Sequence, residues 1–253
     1  MKVFLTGASS GIGEALARDY ARRGATLGLV ARRIDRLREL AASLPAADAY
    51  EADVRDLAAM RAAAARFVER HGLPDIVIAN AGISHGTLTE LEEDAAAFRD
   101  ILETNVLGLV HTFQPFVAPM RARGRGTLAG IASIAGFRGL PGGAGYSASK
   151  AAAIRYLEAL RVELRGSGVM ACTVCPGFIR TPMTAKNPYP MPFILEVDEA
   201  ARRIARAIDS GRGYTVIPWQ MAIVGRILAI LPNAVFDPLV AGRARKPRRN
   251  QGS

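Results

Sequence analysis

The chain has 253 residues, half of them hydrophobic and 22% charged, which excludes a disordered chain and fits one α/β domain better than two small ones. A net charge of +10 raises a nucleic-acid or membrane partner, but Arg18, Arg22, Arg36, Arg61, Arg70, Arg121 and Arg161 are spread along helical segments. Only Arg243 to Arg249 form a cluster, so the pattern reads as solvated helix faces with a basic tail, without nucleic acid.

The apolar run from Val3 lacks polar alternation and predicts a buried parallel strand, followed by Gly7-Ala-Ser-Ser-Gly-Ile-Gly13 and an amphipathic helix that Gly24 ends. Such a turn is either structural or a phosphate cradle. In the second case Gly7, Gly11, Ile12 and Gly13 bring backbone close to a pyrophosphate at the helix N-terminus, and Ser9 and Ser10 add hydroxyl donors. Thr26 to Ala31 is the second strand. Arg32 and Arg33 stand at its tip, where an acid would hold a ribose 2′-hydroxyl; they are either a basic loop of an Arg-rich chain or, in the favoured reading, partners of a 2′-phosphate, which points to NADP(H) over NAD(H). The nearest acid, Asp35, comes late and reads as a helix cap.

A helix over 36–44 leads to a third strand over 47–52. Asp53 and Val54 follow it, offering either a carboxylate to an adenine amino group or an ordinary turn. An Ala-rich helix over 57–70 precedes the fourth strand, 75–79, which ends in Asn80, Ala81 and Gly82, small enough for a ribose to lie against backbone. A long helical stretch runs from Glu93 through Asn105 to Met120, with Pro115 expected to bend or break it. The fifth strand, 126–132, ends at Ser133. The sixth, 169–175, carries Cys172 and Cys175 on opposite faces, so no disulfide or metal pair is expected, in keeping with a reducing compartment. A helix over 198–210 and a strand over 214–217 complete the series.

Between the fifth and sixth strands, Tyr146 and Lys150 lie one turn apart on one face of a strongly helical run. They either flank a helix start or form an acid–base pair. A cation ~4 Å from the phenol, at an effective dielectric of ~20, is worth about 4 kcal/mol, enough to draw its pKa from about 10 toward neutrality. Carbonyl and alcohol chemistry needs such a group.

Strand and helix alternate throughout, which predicts a single doubly wound, Rossmann-type α/β domain over 1–218: a mostly parallel seven-stranded sheet with helices on both faces. Ligands of such sheets bind beyond the strands' carboxyl ends, where Thr6, Ala31, Asn80, Ser133 and Pro176 fall.

Together, Thr6-Gly-Ala-Ser-Ser-Gly-Ile-Gly13, Asn80-Ala-Gly82, Asn105, Ser133, Tyr146-Ser-Ala-Ser-Lys150, and Pro176-Gly177 with Thr181 resemble the short-chain dehydrogenase/reductase family in its form of about 250 residues. The resemblance implies that Tyr146 exchanges a proton with the substrate oxygen and that Ser133 orients that oxygen. Lys150 would hold the nicotinamide ribose and lower the Tyr146 pKa, and Asn105 would fix a water leading to solvent. Pro176, Gly177, Ile179 and Thr181 would border the nicotinamide. It also implies a homodimer or homotetramer. A dinucleotide-binding regulator without catalysis would share the fold but has no need of the four catalytic residues.

The stretch 183–197, rich in Pro, Met and aromatics, is either a lid over an apolar ketone or alcohol or a loop packed on its own domain. His85 reads as a solvated loop residue, with the pocket as the alternative. The extension 219–253 opens with an apolar run, Trp219 to Leu231, too short to span a bilayer. It packs on the fold, caps the pocket, meets a partner subunit, or lies with the basic residues up to 249 on a membrane as a peripheral protein with secondary reductase activity. Apolar lid and tail together resemble, more loosely, reductases of lipid-like ketones of the 3-ketosphinganine type. With no leader and no spanning run, a cytoplasmic location is expected, membrane-associated if the tail binds lipid.

Overall fold

The computed structural model describes residues 1–242 and 244–249; Arg243 of the basic cluster and the end of the extension, 250–253, lie outside them. Seven strands form one sheet: β1 (Lys2–Thr6), β2 (Thr26–Ala31), β3 (Ala47–Glu51), β4 (Ile76–Ala79), β5 (Gly126–Ile131), β6 (Val169–Pro176) and β7 (Tyr214–Ile217). Their order is β3-β2-β1-β4-β5-β6-β7 and every pairing is parallel, so the expected doubly wound sheet is fully rather than mostly parallel. The order reverses between β1 and β4, which opens a crevice at their carboxyl ends.

Side-chain alternation along β1 divides the core. Val3 and Leu5 face α1 (Gly11–Arg22), α2 (Ile34–Ala42) and α7 (Val197–Asp209), meeting Leu16, Tyr20, Leu37, Ile204 and Ile208. Phe4 faces the other way, toward α3 (Leu57–His71), α5 (Gly108–Arg123) and α6 (Ala144–Glu163), among Phe67, Phe113, Phe116 and Leu157. Its ring lies 5.5 Å from Phe67, edge-on, and 4.9 Å from Phe116. The two thiols follow the same alternation: Cys172 joins the first layer and Cys175 the second, both buried and free.

The long helical stretch breaks elsewhere than expected. α4 (Asp94–Leu102) passes into a wide π turn, Glu103–Leu107, and α5 then runs through both Pro115 and Pro119. The break therefore falls at Asn105 and not at Pro115, because the π turn adds a residue to the helical circuit and carries Asn105 inward.

The final strand leads into α8 (Trp219–Ile230) and α9 (Asn233–Ala241), bent by 117°. No single helix among the described residues is long and apolar enough to cross a membrane. Met221 and Phe236 are buried, and Arg138 fixes the bend by donating to the carbonyls of Leu228 (3.0 Å) and Leu231 (2.6 Å) and stacking over the Phe236 ring at 4.2 Å. The extension thus packs one face on its own fold. Its other face leaves Trp219, Ile223, Ile227, Ile230, Val235 and Leu239 exposed.

Candidate active site

The β1–α1 turn forms the floor of the crevice. Gly7 has φ +69°, and a Cβ there would stand 2.7 Å from the backbone of Ala81, so the β1 and β4 turns meet without side chains between them. Asn80 ties them by donating from Nδ2 to the carbonyls of Thr6 (3.1 Å) and Gly7 (3.2 Å). Gly13 does not line the crevice: a Cβ there would run into the Gly7 carbonyl and the Asn80 amide, so this glycine allows helix-to-turn packing rather than ligand contact.

From this floor a cleft of about 300 Å³ runs between two chemically different ends. At one end Arg33 Nη2 stands 3.0 Å from both Ser9 Oγ and Ser10 Oγ, with Arg32 alongside. Asp53 and Val54 line the same end. Partial burial would raise the Asp53 pKa, but Arg55 grips the carboxylate, at 2.7 Å from Nη2 and 3.0 Å from Nε, and holds it below the usual range. Nothing in the residue pattern signals that Arg55 contact. A donor-rich end whose carboxylate is already neutralised fits an added phosphate on a dinucleotide.

The other end collects Ser133, Tyr146, Lys150, Pro176, Gly177, Ile179 and Thr181, while Gly11, Ile12, Ala81 and Gly82 line the middle. Ser133 begins a 3₁₀ turn, Ile134–Gly136, where its hydroxyl accepts from Ala135 N at 3.2 Å. It also lies within hydrogen-bonding reach of the Tyr146 phenol. Lys150 is buried and donates to the Ile131 carbonyl at 2.8 Å. Asn105, 1% exposed, sits behind the cleft rather than in its wall. Its amide accepts from Ile83 N (2.8 Å) and donates to Ile83 O and Ser149 Oγ (both 3.0 Å). Ser149, which carries no role in the motif, relays this tether to the Tyr146 carbonyl at 2.8 Å.

One expectation is reversed. Burial pushes the Tyr146 phenol above its ordinary pKa, and the Ser133 hydrogen bond only partly opposes it. Lys150 does not draw it down: its Nζ is turned to the Ile131 carbonyl, 5.8 Å from the phenol ring centroid, and burial lowers the amine itself to about 8. Tyr214, at the start of β7, lies outside the cleft lining, and its hydroxyl accepts from the Cys175 thiol at 3.5 Å.

The segment 183–197 is pinned where Arg180 N donates to Leu195 O (2.9 Å) and Leu195 N to Phe178 O (3.0 Å). Tyr189 packs on Phe178, with ring centroids 6.4 Å apart. His85 is half-buried, and burial together with Arg249, Lys246 and Lys186 lowers its pKa. It lies in the loop after β4, outside the cleft lining.

A profile of the short chain dehydrogenase family matches residues 1–190. An uncharacterized oxidoreductase of Myxococcus xanthus is 40% identical over 238 residues, covering 92% of this chain and 93% of its own. Among solved structures, a point variant of actinorhodin polyketide ketoreductase with NADPH superposes with a TM-score of 0.77 at 29% identity, covering 85% of this chain and 95% of its own. An alcohol dehydrogenase from the archaeon Thermococcus sibiricus, complexed with 5-hydroxy-NADP, gives 0.75 at 30% identity with the same coverages.

Proposed function

The chain belongs to the short-chain dehydrogenase/reductase family, and from that premise we propose that its cleft interconverts a ketone and a secondary alcohol with NADP(H), Tyr146 serving as general acid and base. One observation carries the reading: Tyr146, Ser133 and Lys150 converge at the end of a cleft whose far end presents Ser9, Ser10 and two arginines. When bound, NADP(H) supplies or accepts the hydride. Gly7, Gly11, Ile12 and the β4 turn, Asn80 to Gly82, would hold its pyrophosphate and ribose, and Arg32 and Arg33 its 2′-phosphate.

The remaining work belongs to side chains. Ser133 orients the substrate oxygen beside the Tyr146 hydroxyl. A phenol whose pKa is held up by burial is protonated at neutral pH, so Tyr146 is set to give its proton to the oxygen of a ketone being reduced. In the reverse direction it takes the alcohol proton. Lys150, held on the Ile131 carbonyl at the same end of the cleft, would meet the nicotinamide ribose. Asn105 acts as a positioning residue by locking the β4 loop to the turn of α6 that carries Tyr146.

The finer reading, reduction of an apolar or lipid-like ketone, is supported by Met183 in the cleft and by Phe178 and Tyr189 beside it. The exposed face of α8 and α9 is, in the same reading, an association surface for a second subunit or a membrane. The protein should oxidise NADPH when an aryl or long-chain ketone is added; no turnover across such a panel with NADPH or NADH contradicts the reading.

A further inference from the structure

We propose that Lys246, carried against the Tyr146 ring by the chain's own tail, binds an anionic group on the substrate, so that the ketone reduced here joins its apolar part to a carboxylate or a comparable small anion. The proposal rests on the assignment of Tyr146 to the substrate carbonyl. Beyond α9 the chain turns back across the rim, and residues 244–249 lie as a strap between the loops that follow β4 and β5. Gly86 N donates to Pro247 O at 2.9 Å, and the Lys246 carbonyl passes so close to Gly86 that no Cβ would fit there. On the other side Arg245 packs against Gly142, where a Cβ would meet its side chain at 2.8 Å.

Two arginines clamp the strap. Arg248 reaches Glu93 (3.1 Å) and the buried Asp94 (3.5 Å), and Arg249 reaches Asp100 (2.6 Å). Among the described residues, Lys246 has no such carboxylate within ion-pair distance. It is half-buried, and its ammonium stands 5.8 Å from the Tyr146 ring centroid, as far as Lys150 does. Lys246, Gly86 and Gly142 do not line the dinucleotide cleft, and the contact with the Tyr146 ring is what puts the amine beside the substrate end.

The surroundings carry the same sign. Arg249, Lys246 and Lys186 each act on His85, with Asp100, already shared by Arg55 and Arg249, as the opposing charge. Two buried polar atoms next in sequence to members of this group, Ser84 Oγ and Asn187 Oδ1, have no hydrogen-bond partner. A partly desolvated ammonium with an aromatic face but no carboxylate beside it is costly, and an arriving anion would relieve it. Burial accordingly lowers the Lys246 amine to about 8. The reaction is unchanged: the carbonyl carbon gains the hydride of NADPH, the oxygen gains the Tyr146 proton, and the anionic group is neither oxidised nor reduced.

The test uses the full chain with two pairs of ketones, 4-acetylbenzoate and its methyl ester, and acetoacetate and its methyl ester, at pH 7. Wild type should prefer the acids. Lys246→Met should lower the acid-over-ester ratio of kcat/KM tenfold or more, chiefly through KM, and Lys246→Arg should keep it within about threefold. Calorimetric titration with benzoate should show the same loss without turnover. A chain ending at Gly242 should match Lys246→Met. The proposal is overturned if Lys246→Met leaves both the ratio and benzoate affinity within twofold of wild type, or if the truncation raises acid and ester turnover equally, which marks the strap as a plug. Should the protein reduce none of the four yet bind benzoate through Lys246, the anion site stands while the substrate statement falls with the catalytic reading.

Discussion

At Tyr146 the acid–base chemistry is set by burial more than by a neighbouring charge, and Lys150 bears the cost. Its amine, ordinarily near 10.5, sits at about 8 in the fold. Between those values the folded chain holds fewer protons than the unfolded one, so stability rises with pH across that window, while below about 8 the full cost of the buried charge remains. In ligand-free protein, the melting temperature of wild type relative to Lys150→Met should therefore climb as pH is raised from 7 to 9.5. A pH-independent difference contradicts a buried charged Lys150. At the opposite end, Arg32→Ala with Arg33→Ala should weaken NADPH binding by tenfold or more and NADH binding by less than threefold, measured by cofactor fluorescence; equal weakening rules out a 2′-phosphate contact. The place of both arginines in the cleft wall was legible from sequence because they stand at the tip of the second strand. The Lys150–Ile131 bond was not, because residue spacing along a helix says nothing about which carbonyl of the adjacent strand a side chain will meet.

At the scale of elements, two departures from simple periodicity build the site. The π turn at Glu103–Leu107 swings Asn105 inward, where it satisfies both the N–H and the C=O of Ile83. Asn105→Ala should therefore cost about 1–3 kcal/mol in denaturant unfolding, through orphaned backbone groups, and lower kcat more than it raises KM; an unchanged unfolding midpoint contradicts the tether. The sequence offered Pro115 as the breaking point, but proline marks a helix only by its own lost N–H, and the inserted residue left no such sign. The strap is the second departure. A basic cluster read along the chain suggests a free tail, and only the three-dimensional positions of Glu93, Asp94 and Asp100 turn it into a clamp. Arg248→Ala should weaken the preference for acids severalfold, with salt acting in the same direction on the exposed Arg249–Asp100 pair. An acid preference unaffected by Arg248→Ala contradicts a clamped strap.

Across the whole molecule, the alternation of strand and helix was readable because the inner parallel strands, buried on both faces, write themselves as apolar runs, while the edge strands β3 and β7 are less buried. Rim residues drawn from five strand ends were readable for the same reason, since every strand of a parallel sheet points its carboxyl end the same way. What α8 leaves exposed was not, because a helix apolar almost all round gives no clue to which face meets its own fold. Ile227→Glu with Ile230→Glu separates the two uses of that face: loss of a dimer in sedimentation marks a subunit contact, and loss of co-sedimentation with anionic vesicles marks a membrane contact. The proposed mechanism depends on a protonated phenol facing the substrate oxygen, and Tyr146→Phe tests that dependence most directly. The variant should bind NADPH within threefold of wild type while its single-turnover ketone reduction falls at least a thousandfold; reduction within tenfold of wild type, with binding intact, would contradict a catalytic phenol.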